Sequence, residues 1–63
     1  MKVGTKIRID RMEGEPQYDG KEGVVTRISE GNHSFGIPEQ WHGTWGGCAV
    51  QPQRDEYTVL GEA

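Results

Sequence analysis

Trp41-His42-Gly43-Thr44-Trp45-Gly46-Gly47-Cys48-Ala49-Val50-Gln51-Pro52 holds both tryptophans and the single cysteine of the chain. Residues 41–45 alternate by parity, and so do residues 48–51. Between them, Gly46-Gly47 is a two-residue connection of the kind that tolerates positive φ, as a type I′ or II′ hairpin turn requires. Alternation places Trp41, Gly43 and Trp45 on one face of the first strand, and Cys48 with Val50 on one face of its partner. Those five positions are expected at the centre of a small β-core.

Working outward, Val3-Gly4-Thr5-Lys6-Ile7-Arg8-Ile9 opens on a turn glycine and then alternates, with Ile7 and Ile9 inward. Arg11 to Glu22 is a polar connection broken by Gly14, Pro16 and Gly20, read as a long hairpin loop. Gly23 to Ile28 forms the second strand. Val25 and Ile28 both read as core residues yet differ in parity, which predicts a bulge or bend near Thr26. Residues 29–40 form a long loop in which only Phe35 and Ile37 offer anchors. Pro52 ends the fourth strand because it lacks a ladder donor. Gln53-Arg54-Asp55 is expected as a single 3₁₀ turn, with Asp55 capping it through backbone N–H groups. Glu56 to Leu60 is the last strand, with Tyr57 and Val59 inward, and residues 61–63 fray. The pattern predicts an all-β fold: one domain over residues 1–63, ordered over about residues 3–60, in the form of a five-stranded SH3-like barrel.

The chain has 63 residues, ten glycines and a net charge of −3. So short a domain buries only about 60% of its unfolded surface, so each large side chain weighs heavily. Charge is uneven: residues 1–28 carry six cations against five anions, +1, and residues 29–63 carry one cation against five anions, −4. An acidic chain is a poor general ligand for phosphate backbones. One cysteine excludes an internal disulfide, and no apolar run approaches membrane-spanning length. A cytoplasmic, monomeric protein without cofactor or metal is the expectation.

Two resemblances follow from these residues. Gly4 to Ile9 followed by Tyr18-Asp19-Gly20-Lys21-Glu22-Gly23-Val24-Val25 resembles the KOW motif of ribosomal and transcription-factor barrels, with Gly20, Gly23 and Val25 matching its glycine-x-x-glycine-x-valine run. Over nearly its full length the chain also resembles a family of short bacterial and phage domains of unknown function. Gly43 to Gly47, Val50-Gln51-Pro52 and Asp55-Glu56-Tyr57-Thr58-Val59 match the ending of that family in order. The second resemblance implies an SH3-type barrel and no activity.

Cys48 could act as a nucleophile only beside a base. His42 differs in parity from Trp41 and is expected to face away from the core that Cys48 enters, so a buried apolar role is favoured for the thiol. His33, His42 and Cys48 lack metal-ligand spacing. Trp45 reads as core, whereas Trp41, at the mouth of the long loop, fits a core or a groove role equally. The leading expectation is a non-catalytic module binding a peptide or protein. Its groove would be lined by Tyr18, Trp41 and Pro52, with Glu13, Glu15 and Asp19 beside it to favour basic ligands. The alternative is RNA or ribosome association through Arg8, Arg11, Lys21 and Arg27, against which the net charge argues.

Overall fold

The structure, a computed structural model, describes residues 1–63. Four strands, β1 (Lys6–Arg11), β2 (Glu22–Ser29), β3 (Gln40–Gly43) and β4 (Glu56–Gly61), form one antiparallel sheet in the order β3-β2-β1-β4. The fold is all-β, relieved only by two 3₁₀ turns at Pro16–Tyr18 and His33–Phe35. No helix is long and apolar enough to cross a membrane.

The alternating residues of β1 behave as their parity dictates: Ile7 and Ile9 are fully buried and are joined in the core by Val25, Val50, Met12, Trp41 and Trp45. β2 shifts register between Val25 and Arg27, which is the bulge that the parity mismatch requires. The extra residue lets Val25 and Ile28 both face inward, Val25 fully buried and Ile28 half-buried against the core.

Three expectations are corrected. First, no strand forms over 48–51. The return is a single bridge, Trp41 N–H to the Val50 carbonyl at 2.8 Å and Val50 N–H to the Trp41 carbonyl at 2.9 Å. The chain turns at Thr44-Trp45 instead of at Gly46-Gly47, because Thr44 is held by Val24. Its N–H donates to the Val24 carbonyl at 3.1 Å, and its hydroxyl accepts from the Val24 N–H at 3.0 Å. Trp45 then lays its indole across Gly43, so closely that a Cβ there would come 2.2 Å from the ring. The same face holds Trp41, Gly43 and Trp45, as parity predicts, but a folded-back ring replaces the second strand. The sheet therefore has four strands and does not close.

Second, residues 52–54 form a hydrogen-bonded turn, with Arg54 and Asp55 N–H donating to the Gln51 carbonyl at 2.9 and 2.8 Å. The 3₁₀ turns lie elsewhere, so the single 3₁₀ turn expected before the last strand is absent. Asp55 does cap this turn and does more: its carboxylate accepts from Gln51 N–H at 2.8 Å and from Glu13 N–H at 3.0 Å, pinning the first long loop to the start of β4.

Third, the 29–40 segment is organised without its apolar side chains. Asn32 and Ile37 exchange backbone bonds at 2.8 and 3.0 Å, and the Asn32 side chain accepts from Ser34 N–H at 3.0 Å. Phe35, 78% exposed, and Ile37 both point to solvent instead of anchoring the loop.

Candidate functional site

β4 is the last strand of the sheet, and β1 is its sole strand partner. Val59 pairs with Ile7 and Tyr57 with Ile9, so both lie on the inner face. Ile7 and Ile9 are covered by the rest of the core, but nothing continues past β4. Tyr57 and Val59 remain 36% and 42% exposed, where parity alone predicts burial.

At this unclosed side the inner faces of β3 and β4 approach each other. The Trp41 and Tyr57 rings meet edge to face with centroids 4.8 Å apart, a favoured arrangement for aromatic pairs. Trp41 is only 3% exposed, and its Nε1–H donates to the Glu39 carboxylate. Beside that pair opens a cleft of about 300 Å³ lined by Trp41, Tyr57, Val59 and Thr5, with residues from both chain ends at its rim. Trp41 is therefore a core residue that also lines the cleft.

The other residues expected in a groove are not brought to that cleft. Glu13 and Glu15 line a second, more polar cleft of about 420 Å³ together with His42, Cys48, Gln51 and Asp55. Cys48 is half-buried and packs on the core from its rim, so the thiol and the imidazole line one cleft, where parity had set them on opposite sides. Asp19 accepts from the Met12 N–H at 3.1 Å, holding the loop that buries Met12. Tyr18, expected as an exposed loop aromatic, is half-buried against the core under Gly46. Gly46 has φ +148°, and a Cβ there would lie 2.6 Å from the tyrosine ring. Pro52 is half-buried in its turn and lines neither cleft.

The basic residues of the alternative face are each met by a local partner or spread apart. Arg8 Nε lies 2.8 Å from Asp10, and its Nη2 donates to the Thr58 hydroxyl at 3.3 Å. That hydroxyl donates to the other Asp10 oxygen at 2.5 Å, closing a network that ties β1 to β4. The Thr58 hydrogen bond first, then Arg8, holds the Asp10 carboxyl below its ordinary value. Asp10 in turn raises Arg8. Arg27 Nη2 lies 3.3 Å from His42 Nε2 and Lys21 sits 6.0 Å above the Tyr18 ring, whereas Arg11, opposite Glu56 in the strand register, belongs to no ion pair.

Sequence reasoning missed Tyr57 and Val59 as site residues because alternation reports which face a side chain occupies, not whether anything covers that face. The available signal was the position of the strand: the last strand of an antiparallel sheet is exposed unless the sheet closes. No protein-family model, curated protein or solved structure matches the chain.

Proposed function

We propose that this chain is a small, non-catalytic interaction module. It acts as a cytoplasmic monomer of SH3-like type and holds a peptide or protein segment against the cleft of Trp41, Tyr57 and Val59. The observation that carries the reading is an aromatic and aliphatic surface gathered in one cleft and left open beside a sheet edge. Aromatic side chains dominate the energetics of such contacts, and here two of them are already fixed against each other. The antiparallel order β3-β2-β1-β4 and the Trp41–Val50 bridge are the strand pairings on which the SH3-like reading rests, in a sheet that stays open.

The test is chemical-shift mapping against a panel of extended peptides. Binding should move the Trp41 indole resonance with Tyr57 and Val59, and Val59→Thr, which keeps the β-branched shape but adds a hydroxyl, should weaken it with only a small fall in melting temperature. A panel that leaves all three residues unmoved refutes the reading. RNA association through the KOW-like half finds less support, because Arg8 is engaged by Asp10 and Arg27 by His42. A short RNA that binds at about 50 mM salt, where counterion release favours it most, would revive it.

A further inference from the structure

Resting on that interaction-module reading, we infer that the free edge of β4 accepts an extended segment of a partner protein as an added strand. The segment carries an apolar, alternating centre and basic ends.

The backbone supplies the first argument. β4 pairs only with β1, and no loop or side chain bonds the backbone of residues 56–61 from the other side. An unpaired row of N–H and C=O groups is a template for strand addition. Between register shifts at Lys6/Ile7 and Ile9/Arg11, β4 is held regularly against β1 over the three residues Tyr57 to Val59, and these form the core of the edge.

The side chains supply the second. A strand laid along this edge sends alternate residues to the inner face, beside Tyr57 and Val59 and into the cleft that Trp41 walls. Main-chain bonds would then give affinity, and the cleft would select an apolar residue at every second position.

Charge decides the occupant. Glu56 and Glu62 stand at the two ends of the edge, and neither belongs to an ion pair; the three pairs present are Lys6–Glu22, Arg8–Asp10 and Arg54–Glu13. Arg11 lies across from Glu56 on the β1 side, away from the free edge, and Lys2 at the cleft rim pairs with neither carboxylate. A second copy of this chain fits poorly. A two-fold pairing centred on Val59 sets Tyr57 against Gly61 and Glu56 against Glu62, and like charges directly opposite are destabilising; one centred on Thr58 sets Tyr57 against Val59 but leaves Glu56 facing Leu60, with no cation supplied to it. A segment with Lys or Arg at its ends meets both carboxylates instead.

The experiment uses the full chain and a blocked peptide, Lys-Lys-Val-Thr-Val-Thr-Val-Lys-Lys, followed by amide resonances and hydrogen exchange. Binding should shift alternate amides between Glu56 and Gly61 and slow their exchange. Methylating alternate peptide nitrogens, which keeps the side chains but removes donors, should abolish binding. E56K/E62K should weaken the Lys-ended peptide roughly tenfold and favour its Glu-ended counterpart. Should that variant fail to fold, salt gives the same readout, since added salt weakens exposed charge pairing. Three results overturn the inference. The first is a methylated peptide that binds equally well, which leaves the cleft reading standing. The second is a concentration-dependent shift of β4 without peptide, which makes a second copy the occupant. The third is no shift at β4; the interaction-module reading fails as well only if the wider panel is silent at Trp41, Tyr57 and Val59.

Discussion

Trp45→Ala should leave this domain largely unfolded at room temperature. The indole is 5% exposed, lies over Gly43 and approaches Gly23, and its Nε1–H donates to the Cys48 carbonyl at 2.7 Å. Truncating a buried tryptophan costs roughly 3–5 kcal/mol. Removing the donor from the Cys48 carbonyl adds about 1 kcal/mol where water does not replace it. Domains of this length draw only about 3–5 kcal/mol from their cores, so the loss matches the whole stability. Urea titration followed by far-ultraviolet circular dichroism measures it, with Trp45→Phe as the control. Phenylalanine keeps most of the ring but not the donor, and should cost about 1–2 kcal/mol with an unchanged slope. A cooperative Trp45→Ala transition lowered by less than about 1 M urea, equivalent to about 1 kcal/mol for a small domain, refutes the central place given to this ring.

Gly46→Ala should destabilise by about 1–3 kcal/mol, because its positive φ and the Tyr18 ring both exclude a Cβ. Tyr18→Ala in the same chain should recover part of that loss in a thermal melt, and strict additivity of the two changes would count against the contact. Phe35→Ser should move stability by less than about 0.5 kcal/mol, since the ring is 78% exposed; a clear fall in melting temperature would show that the loop tip packs. The Asp10 carboxyl is held below its ordinary value of 3.8 by Thr58 and Arg8. Its contribution is therefore complete above that value and is lost as pH falls through the lower folded value. Asp10→Asn should flatten the acid limb of a urea-midpoint-against-pH profile below about pH 4, and an unchanged limb contradicts the assignment.

Much of the fold was legible because alternation over a few residues is a local property. Ile7 and Ile9 enter the core on parity alone, and the bulge between Val25 and Arg27 follows from two apolar residues of unlike parity in one strand. Asp55 as a cap followed from an acceptor placed beside a turn, although its second bond, to Glu13, joins residues far apart in sequence. Met12 was missed because a single apolar residue in a polar loop carries no period.

What the sequence by itself determined is which residues share a face: Trp41, Gly43 and Trp45 together, and Tyr57 with Val59. What only tertiary structure decided is whether each face is covered. Gly46-Gly47 is a permissive turn, but the bonds that Thr44 makes to Val24 and the room that Gly43 leaves for the Trp45 ring set the reversal earlier, and the return strand shrinks to Val50. The sheet then stays open, and Tyr57 and Val59 sit on an inner face with nothing beyond them. The physical reason is range. Parity is fixed by neighbouring peptide units, whereas coverage is fixed by contacts between strands far apart in the chain, and it is the uncovered edge that makes the candidate site.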